Sequence, residues 1–105
     1  MRYVLNSAVI TGPGRYEYRL VTAREAGEWL AAGPVESRVG YAETLSYIAD
    51  FFGVDLPLSR EATQMIPGDE ALVVRLKYRI ADPAMKGRVE PAPEDWELGI
   101  LVKHA

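Results

Sequence analysis

The nine residues from Leu72 to Ile80, Leu-Val-Val-Arg-Leu-Lys-Tyr-Arg-Ile, constrain the possible fold of this chain more than any other stretch. Successive side chains of a β-strand point to opposite faces, so the run divides with a period of two. Leu72, Val74, Leu76, Tyr78 and Ile80 make one apolar face, and Val73, Arg75, Lys77 and Arg79 make the other. At about 3.3 Å of rise per residue, the three cations stand roughly 6.5 to 7 Å apart. That is close to the spacing of phosphates on an extended nucleotide backbone, so the row is able to track one. The commoner arrangement is a solvated face of an antiparallel sheet whose cations pair with Glu and Asp. The strand alone leaves both open.

The rest of the chain bounds the choice. Its 105 residues carry a formal net charge of −3. The length predicts one domain, residues 1–105, able to bury a core without disulfide or metal staples. Proteins that hold nucleic acid by bulk charge are usually strongly basic. DNA is therefore not an expected partner, and any anionic ligand must be small and held by a local cluster of cations. There is no cysteine, and the one histidine, His104, lies beside the C-terminus. Neither a thiolate site nor a histidine zinc site is expected, and no metal or cofactor is implied. No apolar run is long enough to span a bilayer, and Met1 to Asn6 enters a strand pattern at once rather than a leader pattern. A membrane is thus not an expected partner, and the expected location is cytoplasmic.

In chain order, Tyr3–Ile10 reads as a strand, Thr11-Gly12-Pro13-Gly14 as a turn, and Arg15–Val21 as a second, alternating strand. Together they predict a hairpin. Thr22 and Glu25 have the spacing of a capping box and start a helix with Ala26, Trp29 and Leu30 on one face. Gly33-Pro34 predicts a left-handed cap at its end. A short strand follows over Val35–Val39. A second helix over Tyr41–Phe52 carries the stripe Leu45, Ile48, Ala49, Phe52 and ends at Gly53. Tyr47 and Phe51 lie beside that stripe. Leu56–Thr63 reads as an edge strand because Pro57 cannot donate to a ladder. Pro67-Gly68-Asp69 turns the chain into the basic strand, and Asp82-Pro83 breaks it. Residues 83–95 read as a long loop, and Trp96–Val102 as a last strand. The sum is an α+β fold, a mixed β-sheet of about five or six strands with two helices packed on it.

Motifs with a chemistry of their own are missing. Gly12-Pro13-Gly14 is too short for a phosphate loop, and no nucleophile elbow, dinucleotide fingerprint or zinc spacing occurs. Ser7, Ser37, Ser46 and Ser59 have no histidine partner inside the fold. The start of the second helix, Gly40-Tyr41-Ala42-Glu43-Thr44, is a pole at which free N–H groups are able to meet an anion, though a plain helix start explains it as well.

Several ordered segments nonetheless resemble one family. They are Leu5-Asn6-Ser7, Val39-Gly40-Tyr41-Ala42-Glu43-Thr44, Gly53-Val54-Asp55-Leu56-Pro57-Leu58-Ser59-Arg60, Pro67 to Val74, and Arg79. In that order and spacing, covering about residues 3 to 102, the chain resembles the viral ring nucleases, small type III anti-CRISPR proteins of archaeal viruses, found also in bacteria and phages. The resemblance implies a homodimer that binds cyclic tetra-adenylate across its two-fold axis and opens the ring without metal. A ribose 2′-hydroxyl attacks its own phosphate there, and a histidine at the start of helix two protonates the departing 5′-oxygen. Carried over, Asn6, Thr44 and Arg60 match ligand-contacting positions, and Arg79 matches the arginine at the scissile phosphate. Arg75 stands where some members have glutamine, Asp82 where some have glutamate, and Lys77 shares the basic face with Arg75.

The departure from the family pattern is central. Its Gly-His is Gly40-Tyr41 here. Histidine titrates near 6.5 and exchanges protons at neutral pH, whereas tyrosine titrates near 10. Proton transfer by a positioned group supplies about 10²- to 10⁴-fold of rate. Tyr41, Arg79 and Asp82 are therefore the expected catalytic set of a slow ring nuclease, or the remnant of one in a protein that sequesters the ring. Asn6, Thr44, Arg60, Arg75 and Lys77 are the expected ligand contacts. Two alternatives stand beside this reading. One is a dimeric interaction module that has lost the nucleotide and uses Tyr47, Phe51 or the 83–95 loop. The other is a metal-independent phosphodiesterase for another ring size or for linear RNA.

Overall fold

Val4, Leu72 and Val74 are fully buried, and the strands that carry them lie side by side inside a five-stranded sheet. The computed structural model describes residues 1–7, 12–77 and 95–105. Seven elements follow in order: β1 (Arg2–Leu5), β2 (Tyr16–Leu20), α1 (Ala23–Ala31), β3 (Glu36–Arg38), α2 (Ala42–Phe52), β4 (Glu70–Leu76) and β5 (Trp96–Lys103). The sheet order is β2-β5-β4-β1-β3. β1 is parallel to both β3 and β4, while β5 is antiparallel to β4 and β2. The fold is α+β with a mixed sheet and two helices.

The expected hairpin of the first two strands does not form. β2 pairs with β5, Tyr18 opposite Leu101, while both edges of β1 are taken by parallel partners. Burial explains the choice. Tyr3, Val4 and Leu5 are buried residues suited to an inner strand, whereas most of β2 is exposed and belongs at an edge. The turn signal at Gly12-Pro13-Gly14 marks a change of direction but cannot name the partner strand.

Both faces of the inner strands are covered. On one face Val4, Leu72, Val74, Leu98 and Ile100 pack with Ala26 and Leu30 of α1 and Ile48 of α2. On the other, Tyr3, Leu5, Ala71, Val73 and Leu101 pack with Met65 from the connector between α2 and β4. Val73, expected on the cationic face, does point that way, but it is fully buried beneath this second cluster. Each such side chain contributes about 1.5–3 kcal/mol on leaving water.

Helix α1 begins as its capping box predicts. Thr22 Oγ1 accepts the Glu25 N–H at 3.1 Å, and Glu25 Oε1 accepts the Thr22 N–H at 3.1 Å. Its end differs from expectation. Ala32 closes it in right-handed geometry, and Gly33 is not among the glycines of positive φ. Arg2 takes over the capping: its guanidinium donates to the carbonyls of Trp29 and Gly33 and stacks 3.9 Å over the Trp29 ring. With cations at the terminal carbonyls, a left-handed turn is not needed to satisfy them. Helix α2 does end at a left-handed Gly53, φ 69°.

Leu56–Thr63 is not a strand. The segment runs beside β3, Ser59 donating its N–H to the Val39 carbonyl at 2.9 Å and Ser37 Oγ donating to the Pro57 carbonyl at 2.6 Å. Pro57 has no N–H, so these bonds cannot extend into a ladder.

Candidate functional site

In open sheets, ligand crevices lie outside the carboxyl ends of parallel strands, where the connecting segments leave. Here the ends of β1 and β3, the start of α2 and residues 59–63 of the connector line a cleft of about 460 Å³. Asn6 and Ser7 enter it from β1, Arg38, Gly40 and Tyr41 from β3 and the start of α2, and Arg60 from the connector.

The Gly40 peptide is held from two sides. Asn6 Oδ1 accepts its N–H at 3.2 Å, and Arg60 Nε donates to its carbonyl at 3.2 Å. A side chain at position 40 would place its Cβ 3.0 Å from Arg60 Cγ, so the absence of one lets the arginine lie against the backbone. Tyr41 is the N-cap of α2 and is 56% exposed. Its side chain does not cap the helix, which leaves the first-turn amides beside the cleft without a side-chain acceptor from that residue.

Arg38 was not singled out in the sequence, although it stands two residues before Gly40 on a strand whose neighbours alternate. Its Nη1 donates to the Ser37 carbonyl at 3.0 Å and its Nη2 to Glu36 Oε2 at 2.9 Å. Glu61 Oε2 stands 3.8 Å from the same Nη2. Arg38 and Arg60 together give the cleft two cations, and Glu61 gives it one carboxylate.

The predicted residues divide into three groups. Asn6, Tyr41 and Arg60, distant in sequence, line the same cleft. Thr44 is buried in the first turn of α2 and is not part of the described lining, nor are Arg75 and Lys77. Arg75 instead donates from Nε to Glu97 Oε1 at 2.8 Å across the β4–β5 ladder. The hydrogen bond from Arg75 holds the Glu97 carboxyl below its usual range, and the same bond raises Arg75. This is the paired, half-solvated face that the strand pattern also allowed. Arg79 and Asp82 lie outside the described residues, as does nearly all of the expected 83–95 loop. Among the described residues no cluster of three or more His, Asp or Glu side chains is placed to hold a metal ion, and no helix is long and apolar enough to cross a membrane.

The architecture defines a small α+β protein with a two-arginine cleft at the carboxyl ends of its parallel strands. The chain belongs to the STIV B116-like family, whose profile matches residues 2–93. It is 33% identical over 95 residues to "Uncharacterized protein 26" of a Sulfolobus islandicus filamentous virus, a match covering 86% of this chain and 80% of that protein. Its fold is similar to B116 of Sulfolobus turreted icosahedral virus, with a TM-score of 0.75 at 17% identity over 96% of this chain and 97% of the other. At that identity the likeness establishes the fold alone. Both relatives are proteins of archaeal viruses.

Proposed function

We propose that this protein binds cyclic tetra-adenylate between two copies of itself, sequestering the ring or cleaving it slowly, and so counters type III CRISPR signalling. The observation that carries the reading is the convergence of Asn6, Gly40, Tyr41 and Arg60, four positions of the ring nuclease resemblance, on one cleft. Its volume of about 460 Å³ lies at the lower end of the roughly 300–1,000 Å³ typical of ligand pockets. That is small for a whole ring of four nucleotides. A two-fold symmetric ring is then shared by two such clefts, which is the reason for a homodimer.

In this reading Arg60, anchored on the Gly40 carbonyl, holds a ligand phosphate, and Arg79 is the arginine that stabilises the charge building on the scissile one. The ribose 2′-hydroxyl gives its proton to water as its oxygen attacks the adjacent phosphorus, the P–O5′ bond breaks, and the products are a 2′,3′-cyclic phosphate and, once protonated, a 5′-hydroxyl. The leaving oxygen needs a proton. The Tyr41 hydroxyl is able to donate a hydrogen bond to it, but a tyrosine does little proton exchange at neutral pH.

The test is incubation of the protein with labelled cyclic tetra-adenylate, beside a Tyr41→His variant. Binding by both, with faster cleavage by the variant, is the expected result. Absence of binding at micromolar protein would overturn the proposal. Binding without any gain from histidine would leave a sequestering protein whose catalytic parts have diverged.

A second reading, an interaction module without nucleotide, draws on an aromatic ladder. Tyr47 stacks on Trp96 at 4.5 Å between ring centroids and on Phe51 at 5.3 Å, and Phe51 is 48% exposed. Phe51→Ala abolishing a partner function that Arg60→Ala leaves intact would favour it.

A further inference from the structure

We infer that Arg38 is a second anion seat of the cleft, at which a ligand phosphate displaces the Glu61 carboxylate. That the anion is a nucleotide phosphate rests on the function proposed above; the seat itself rests on the cleft geometry. Arg38 is not among the positions that the ring nuclease resemblance carries over.

A guanidinium presents five N–H donors in a rigid fork. At Arg38, Nη1 is used by the Ser37 carbonyl and Nη2 by Glu36, while Cζ lies 5.4 Å from the centroid of the Tyr3 ring. These contacts fix the plane of the group, whose side chain is only 18% exposed. They do not exhaust it. Nε is buried and has no hydrogen-bond partner among the described residues, an uncommon state for an N–H in a folded protein. Nε is therefore a donor that the described contacts leave unused.

Glu61 is the group most easily exchanged. Its Oε2 is 3.8 Å from Nη2, beyond hydrogen-bonding distance, and its side chain is 78% exposed. Exposed pairs of this kind contribute little and are screened by salt. Glu36, at 2.9 Å, is the anchor and remains. A phosphate offers several oxygens and is able to bridge Nε and Nη2 together, which a monodentate carboxylate does not. Exchanging Glu61 for a phosphate thus satisfies the orphaned N–H and puts a second cation, with Arg60, on a polyanionic ligand.

The experiment is a set of cyclic tetra-adenylate titrations at several salt concentrations, with thermal melts to confirm folding. Glu61→Gln should tighten binding by about two- to fivefold, the size of one exposed ion pair. Arg38→Gln should weaken it about tenfold or more and lower the slope of log affinity against log salt by about 0.7, the share of one neutralised phosphate. Arg38→Lys should keep the slope and recover part of the affinity, since an ammonium lacks the fork. A merely structural role would move affinity and melting temperature together and leave the slope alone. If Arg38 variants do not fold, Glu61→Gln and the Arg38 Nε–H resonance of the parent protein still decide. That resonance should shift on titration with inorganic pyrophosphate. A pyrophosphate shift without binding of the ring would overturn the proposed function and keep the seat. Ring binding with an unmoved resonance and an unchanged Glu61→Gln would overturn the seat and keep the function.

Discussion

Gly40→Ala separates the stability of this protein from the working of its cleft. The new Cβ would lie 3.0 Å from Arg60 Cγ, whereas carbon atoms in contact sit at about 3.5–4.0 Å. Arg60 must therefore give by a few tenths of an ångström. Its Nε already lies 3.2 Å from the Gly40 carbonyl, at the long end of hydrogen-bonding distance, so a retreat along that line weakens or breaks the bond. For an exposed bond the loss is about 0.5–1 kcal/mol. Against it, Gly40 does not have a positive φ, so alanine is accommodated without backbone strain and restricts the unfolded chain, a gain of about 0.4–1 kcal/mol. The two nearly cancel, and the urea midpoint should stay within about 1 kcal/mol of the parent. Ligand affinity should not stay. A charged contact contributes about 1.5–3 kcal/mol, so displacing Arg60 should weaken cyclic tetra-adenylate about tenfold or more. A fluorescent displacement titration beside urea denaturation reads both quantities. A stability loss above about 2 kcal/mol would mean that Arg60 is packed rigidly and cannot yield. Unchanged affinity, with Arg60→Ala still impaired, would mean that the Gly40 carbonyl does not set the position of that arginine.

Three further outcomes follow from the packing. Ile48→Ala, at a fully buried position facing the sheet, should cost about 2–5 kcal/mol in denaturant unfolding, and a loss below about 1 kcal/mol would refute its place in the core. Burial alone would raise the Asp69 carboxyl, but the Ile66 N–H on Oδ2 at 3.0 Å and the Met1 ammonium on Oδ1 at 2.9 Å outweigh it and hold the group below its usual value. A carboxyl lowered by folding stabilises above its unfolded titration range and loses that contribution as pH falls through the folded value. Asp69→Asn should thus be less stable than the parent at pH 7, with the gap closing below about pH 4; a gap unchanged between pH 7 and 3 would sink the assignment. Arg75→Gln should cost at most about 1 kcal/mol, because its partner Glu97 is held at a half-exposed surface, and should leave ligand affinity within about twofold. A tenfold affinity loss in a titration would show that Arg75 reaches the ligand after all.

Much of the local structure was legible because it is written in adjacent residues. The Thr22–Glu25 box, the stripe around Ile48 and the helix end at Gly53 depend on interactions within a few positions, and each forms. The left-handed cap at Gly33 does not form, because Arg2, 27 positions before Trp29, donates to the Trp29 carbonyl that such a cap would satisfy. The hairpin fails for a related reason: pairing is settled by which strands can be buried on both sides, not by the turn between them. At the cleft, Asn6, Tyr41 and Arg60 were found through a resemblance and not through any motif of their own. Arg38 was missed because a lone arginine on a three-residue strand gives no periodic signal.

Leu56–Thr63 apart, the sequence by itself determined the element types, the α+β class and the alternating pattern of β4. Alternation, capping and breakers act over one or two turns of chain, and composition limits what the rest can do. Only the tertiary structure decided where that strand's charge goes. It gave Arg75 to Glu97 on the neighbouring strand and built the cleft elsewhere, from Arg38 and Arg60, which are 22 positions apart. The reason is physical: the field at a site is the sum over groups brought together by strand order and connector path, and neither quantity is encoded in any single stretch of residues.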